Sequence, residues 1–255
     1  MTIFQNMTMS RIYKSPPLVE ALCEFQFASE NCDWTIPGLI YQEIQTRFPQ
    51  KRQLNRVEFE IAALQGHLSQ QVKGNADRMH FLNPDNTALV QVGPDLLVVN
   101  HLQPYPQWRN FRPLILDMVG VYQRIANPKS LKRIGLRFIN RIEIPEKSFQ
   151  MADFFKFEPR LPDEVLHEYK TLFMRVEIPY VTDAGLLTLT LGSIEPDQIN
   201  KSSFILDLDF ATLPDTQLSF DDCESWIEGA HTNIETFFEA CITDDLRGLF
   251  QEVKS

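Results

Sequence analysis

The stretch from residue 132 to residue 145, KRIGLRFINRIEIP, constrains the fold more than any other part of the chain. Its apolar residues alternate with polar ones at the two-residue period of a β-strand. One face carries Ile134, Leu136, Phe138, Ile142 and Ile144, and the other face carries Arg133, Arg137, Arg141 and Glu143. The stretch therefore predicts a strand with one buried face and one charged face.

The three arginines lie on one face of this strand, with successive ones about 13 Å apart. Such a row of positive charge is unusual in a chain that is acidic overall, and each guanidinium needs a partner. Two interpretations fit. The arginines pair across the sheet with carboxylates of neighbouring strands, or they bind an anionic or peptide ligand through their guanidinium forks. The candidate partner-binding residues are Arg133, Arg137, Asn140 and Arg141. The same-face charged pairs on other predicted strands are Glu58 with Glu60, Arg175 with Glu177, and Asp207 with Asp209.

The rest of the chain alternates between strand-like and helix-like periods. The predicted elements are a strand at 20–28, a helix from Trp34 to Phe48 capped by Asp33, strands between 56 and 101, a helix at Trp108–Ala126, the arginine strand, a helical piece at 149–157, strands at 172–181, 186–194 and 203–210, and a helix from Cys223 to the C-terminus. This order predicts an α+β fold, an antiparallel β-sheet packed by two long helices.

The order of elements is the same in both halves: strand, helix, meander and long helix opened by a tryptophan. We expect a single domain over 1–255 in which Trp108 and Trp226 both pack onto the sheet. Halves 11–127 and 128–255 then form a pseudo-repeat, or the likeness only reflects how common helix-packed meanders are.

Composition disfavours several classes of partner. A formal net charge of −10 repels phosphate, which argues against bulk binding of nucleic acid or anionic membranes. No apolar run is long enough to span a bilayer, and the first residues lack the pattern of a secretory signal. The four cysteines, Cys23, Cys32, Cys223 and Cys241, have no metal-binding spacing, so they predict reduced thiols and a cytoplasmic protein.

Sequence motifs for catalysis are also missing. The chain has no GxSxG, GxxxxGK[ST] or GxGxxG segment, and its five histidines form no HxH or HExxH arrangement. We therefore expect no cofactor and no metal, and the sequence leans away from an enzyme.

Two motifs carry a family resemblance. Tyr13-x-x-Pro-Pro-Leu-x-Glu-Ala21 lies near the start, and Arg133-x-Gly-Leu-Arg-Phe-x-Asn-Arg-Ile142 lies in the middle. Together with the Tyr-Pro-Gln-Trp segment at 105–108, they resemble an uncharacterised bacterial family of about this length with a sporadic distribution. The resemblance implies no catalytic residue, and the patchy distribution implies genes carried on mobile or defence-associated loci.

The sequence thus favours a non-enzymatic protein that binds another protein in a regulatory or accessory role. The alternative is a binder of a small anion or nucleotide, or an enzyme acting on one, that uses the arginine face of the strand.

Overall fold

The computed structural model describes residues 11–28, 33–64, 67–159, 162, 164, 171–180, 183–214, 216 and 218–253. The side chains of 54–64 and 67–77 lie outside this description. Within it the chain forms an α+β fold, as predicted. The elements in chain order are β1 (Leu18–Ala28), α1 (Ile36–Ile44), β2 (Gln50–Leu64), β3 (His67–Leu82), β4 (Ala88–Val92), β5 (Leu96–Leu102), α2 (Trp108–Ala126), β6 (Ser130–Ile144), α3 (Met151–Phe154), β7 (Phe173–Tyr180), β8 (Gly185–Ile194), β9 (Ser202–Thr212), α4 (Cys223–Cys241) and α5 (Asp244–Phe250).

The described strands form one antiparallel sheet in the order β2-β3-β4-β5-β1-β6-β9-β8-β7. Period-two alternation explains why these segments are strands. In β6, every even-numbered residue from Ile134 to Ile144 is buried. The apolar residues of β9, such as Leu206 and Leu208, face the same side. The sheet therefore has a buried apolar face and a half-exposed polar face along these strands.

By its internal contacts the chain divides into two compact units. Unit 1 comprises Met1–Ala21, Gly135–Pro214 and Asp222–Ser255, and unit 2 comprises Leu22–Ile134 and Asp215–Asp221. In unit 2, the ring of Tyr122 stacks on Phe27 with centroids 4.2 Å apart, and its hydroxyl donates to the carbonyl of Pro94 at 2.7 Å. The buried polar end of Tyr122 is thereby satisfied where α2 meets the turn before β5.

In unit 1, Trp226 of α4 is buried against Phe210 of β9, with ring centroids 5.8 Å apart. Burial of Trp226 agrees with the sequence prediction. Trp108, at the start of α2 in unit 2, is only half-buried and meets Phe111 edge-on at 6.2 Å. The two tryptophans therefore differ in how much apolar surface they remove from water.

The first helix is shorter than the predicted span from Trp34 to Phe48. Helix α1 covers Ile36–Ile44, with Thr35 in the cap position and Pro37 in the first turn. The carboxylate of Asp33 accepts hydrogen bonds from the backbone N–H and the hydroxyl of Thr35, at 2.8 and 2.7 Å. Asp33 thus fixes the turn before the helix and does not cap the helix itself.

The single C-terminal helix that the sequence predicts is two helices. Ile242 is extended, with φ −111° and ψ 153°, and forms a β-bridge with Phe155. Thr243 then caps α5 by accepting from the N–H of Leu246 at 3.3 Å. The backbone of residues 154–156 supplies partners at the break, since the N–H of Lys156 donates to the carbonyl of Cys241 and the N–H of Thr243 donates to the carbonyl of Phe154.

Three of the predicted free thiols lie within the description. Cys23, Cys223 and Cys241 are buried thiols outside any disulfide, whereas Cys32 lies outside the described residues. Burial raises the pKa of Cys223 and of Cys241 to about 12, so both thiols stay protonated at neutral pH.

Candidate functional site

The arginines lie on the polar face of β6, as the alternation predicts. Arg133, Arg137 and Arg141 are each half-buried. Asn140 lies on the opposite face, where it is buried and donates from Nδ2 to the carbonyl of Leu206 at 3.1 Å. The arginines and Asn140 are therefore not neighbours on one surface, although they are adjacent in sequence.

Arg137 is held by a bidentate contact with Asp207 of β9. Its Nε donates to Oδ1 at 2.8 Å and its Nη2 donates to Oδ2 at 2.6 Å. The residue directly opposite Arg137 in the sheet is Asp209, so the guanidinium reaches diagonally past it. The hydrogen bonds to Asp207 raise the pKa of Arg137, and the charges of Asp209 and Glu20 act in the same direction.

Arg141 joins a looser group of charges in unit 1. Its Nη2 lies 2.7 Å from Asp197 and 3.5 Å from Glu143, contacts that are ion pairs by distance and not aligned hydrogen bonds. Glu143 also contacts the Nζ of Lys201 at 3.1 Å. Because the side chain of Asp197 is 71% exposed, its pairing with Arg141 is weak in water.

Arg133 lies in unit 2. Its Nη1 donates to Oε1 of Glu24 at 2.9 Å, and the amide of Gln26 donates to the same oxygen at 2.9 Å. Each of the three arginines thus has a carboxylate partner. Cross-strand ion pairs, the first of the two interpretations drawn from sequence, are present for Arg133 and Arg137.

The charged pairs singled out in the sequence have different positions. Asp207 and Asp209 lie on the polar face beside Arg137. Arg175 and Glu177 pair with each other on β7, with Nη2 and Oε1 2.9 Å apart. The side chains of Glu58 and Glu60 lie outside the description. Of the pairs whose side chains the structure describes, the one on β9 lies beside the arginine strand and the one on β7 does not.

The electrostatics around Arg137 and Arg141 in unit 1 are acidic despite the arginines. Among the described residues that form ion pairs with these arginines or act on the pKa of Arg137, the cations are Arg137, Arg141 and Lys201, and the carboxylates are Glu20, Glu143, Asp197, Asp207 and Asp209. Carboxylates outnumber cations, so a free anion approaching Arg137 meets repulsion and must displace Asp207 from the guanidinium fork.

Sequence reasoning missed a buried charge cluster at the C-terminus of unit 1. Arg247 of α5 is buried and donates from Nε to Glu239 at 2.8 Å and from Nη1 to Asp244 at 2.6 Å. The hydroxyl of Tyr13 donates to the other oxygen of Glu239 at 2.6 Å. Burial and this hydrogen bond raise the pKa of Tyr13. The cluster gives a structural reason for the tyrosine that opens the first motif.

Comparison with known proteins adds no relative: no family model matches the chain, and no curated protein matches it. Within the described parts of the chain, no three His, Cys, Asp or Glu side chains gather closely enough to hold a metal ion. Among the described residues, no helix has the length and apolar character needed to cross a membrane.

Proposed function

We propose that this chain is a non-enzymatic cytoplasmic protein that binds another protein, in a regulatory or accessory role. The surface is the polar face of β6 and β9 in unit 1, centred on Arg137. The observation that carries the proposal is the bidentate engagement of Arg137 by Asp207 in surroundings where carboxylates outnumber cations.

This arrangement favours a protein partner over a small anion. A small anion would have to compete with Asp207 for the same guanidinium nitrogens against the net negative charge nearby. A protein can instead present both signs of charge to Arg137 and Asp207 while covering apolar groups beside them. Ile139 and Ile205 supply such groups, since both are half-exposed on the same face.

The composition of this face resembles that of a transient protein interface. Such interfaces combine apolar side chains with hydrogen-bonding groups, and arginine is enriched among the residues that dominate their energetics. Asn140, buried on the opposite face, is not part of the proposed surface. Arg133 belongs to unit 2 and is not part of the proposed surface.

We also propose membership of the sporadic bacterial family whose two motifs the sequence resembles, and with it a mobile or defence-associated locus. A duplication of halves 11–127 and 128–255 is supported by the strand order. From β1 the sheet runs outward through β5, β4, β3 and β2, and from β6 it runs outward through β9, β8 and β7. Each half thus places its first strand beside its last.

Native purification tests the binding function. The chain is expressed with an affinity tag in its source cells, purified without denaturant, and analysed by native mass spectrometry. We expect a protein to be retained in stoichiometric amount. A retained small anion or nucleotide with no protein would contradict the proposal and support the anion-binding alternative.

A variant purified in parallel ties the partner to the proposed surface. Arg137→Asp with Asp207→Arg keeps the ion pair but reverses its polarity, and we expect it to lose the partner. The control is the equivalent exchange of Arg47 and Asp117 in unit 2, a pair 2.6 Å apart whose side chains are each 50% exposed. The control should retain the partner.

A further inference from the structure

Strand β7 lies at one end of the sheet, and in the described part of the chain it pairs with β8 alone. No described strand pairs with its outer edge, and the strand carries solvent-exposed apolar side chains. Phe173 is 76% exposed and Val176 is 42% exposed. An exposed strand edge with apolar side chains is a template for pairing with another strand.

The direction of the backbone groups of β7 follows from one hydrogen bond. The N–H of Ser193 donates to the carbonyl of Leu172 at 2.9 Å, so this carbonyl points toward β8. Because N–H and C=O groups alternate sides along an antiparallel strand, those of residues 173, 175, 177 and 179 point outward. Pro179, which lacks an N–H, occupies an outward position, where a proline breaks no bond within the sheet.

The side chains of β7 are complementary to those of the same strand running in the opposite direction. With Val176 opposite Val176 of a second copy, Arg175 lies opposite Glu177, Met174 opposite Ile178, and Phe173 opposite Pro179. This register also sets outward-pointing residues opposite each other, as ladder hydrogen bonds require. We propose that β7 pairs with β7 of a second copy of this chain in a two-fold symmetric dimer.

Opposite charges select this register over its neighbours. A shift of two residues in one direction sets Arg175 opposite its own copy, and a shift in the other direction does so for Glu177. Within one chain Arg175 and Glu177 pair at 2.9 Å with side chains 55% and 52% exposed. An exposed pair of this kind gains little by itself, so both residues are available to a facing strand.

Charges and proline on a strand edge also serve to prevent pairing. If they do so here, the chain stays monomeric when it is sedimented at high concentration. The dimer proposal is independent of the surface around Arg137, because β7 and that surface share no residue.

Sedimentation of the purified chain tests the proposal. We expect wild-type protein to approach twice its monomer mass of 29.6 kDa as its concentration rises toward about 0.5 mM. Arg175→Glu and Glu177→Arg each place two like-charged pairs across the two-fold axis, and each should weaken dimerisation about tenfold or more.

Mixing the two single variants makes the test specific. The Arg175→Glu chain carries two glutamates and the Glu177→Arg chain carries two arginines, so the mixture should form a heterodimer although neither variant dimerises well alone. The double variant Arg175→Glu with Glu177→Arg should dimerise like the wild type. Arg124→Glu, a reversal at an exposed pair with Glu43, is the control and should leave the dimer unchanged.

Two results would overturn the proposal. One is a wild-type chain that stays monomeric up to about 0.5 mM, the range that covers weak self-association. The other is a dimer whose dissociation constant is the same in wild type, in Arg175→Glu and in the mixture, since such a dimer would use another surface.

Discussion

Replacement of Arg247 with alanine should be among the most damaging single changes in unit 1. The side chain of Arg247 is 9% exposed and that of its partner Glu239 is 14% exposed, so neither charge is well solvated. The variant leaves the Glu239 carboxylate with the hydroxyl of Tyr13 and a distant contact to Arg11 at 3.7 Å. Loss of one partner of a buried ion pair costs about 3–5 kcal/mol of unfolding free energy.

A loss of that size is a large part of the stability of a typical domain, about 5–15 kcal/mol. Urea unfolding followed by circular dichroism measures it. The control is Arg124→Ala, which removes an ion pair with Glu43 whose side chains are 61% and 53% exposed. The control should cost under about 1 kcal/mol.

A second variant separates charge from packing at this site. Arg247→Met keeps most of the buried hydrocarbon of the side chain. Addition of Glu239→Gln to Arg247→Met should recover part of the loss, because it removes the uncompensated carboxylate. A cost below about 1 kcal/mol for Arg247→Ala would refute the reasoning, since the cluster would then behave as an exposed one.

Three further predictions concern other positions. Gly185→Ala should cost about 1–3 kcal/mol in urea unfolding, because the added Cβ would overlap the buried ring of Phe210. Burial lowers the pKa of His231 from 6.5 to about 4. As the pH falls, His231 is therefore protonated in the unfolded chain at a higher pH than in the folded protein. Stability should therefore drop by at most roughly 3 kcal/mol between pH 6.5 and pH 4, since the Glu235 carboxylate 3.5 Å from the imidazole offsets part of the loss, and His231→Leu should remove this contribution. Trp226→Ala should lower stability by about 3–5 kcal/mol, and the half-buried Trp108 should cost less; equal melting temperatures for the two variants would contradict this.

The parts of the fold that were predictable from sequence are those with an uninterrupted period. The spacing of apolar residues predicted a helix at Trp108–Ala126, the range that α2 covers. Strict alternation predicted that Arg137 lies on the polar face of β6. Both signals are local, because each residue's environment follows from its neighbours at a fixed spacing.

The break between α4 and α5 was not predictable in this way. The helical spacing of apolar residues continues past Ile242. The helix ends there because the backbone of Ile242 forms a β-bridge with Phe155 and does not continue the helix. The partner of Arg137 could not be derived either, since the register sets Asp209 opposite it and the side chain reaches Asp207 diagonally. Both outcomes depend on contacts between segments distant in sequence.

Buried charge was the other feature that sequence analysis missed. Arg247 sits in the last turn of a short helix, a place where arginine is usually solvated and interacts with the helix dipole. Its burial depends on Glu239, eight residues earlier, and on Tyr13, at the other end of the chain. The motif that begins with Tyr13 marks this tyrosine in the sequence, but its partner Glu239 can be identified only from the fold.

Calorimetric titration of the partner retained in native purification tests the central claim, that the face around Arg137 recognises a protein. The measurement compares wild-type chain with Arg137→Asp/Asp207→Arg, which preserves the ion pair, and with the exchange of Arg47 and Asp117 as control. The account predicts that the first variant remains folded and loses more than about 2 kcal/mol of binding free energy, while the control binds like wild type. Unchanged affinity in a well-folded Arg137→Asp/Asp207→Arg variant would contradict the claim and leave the arginines of β6 with a structural role alone.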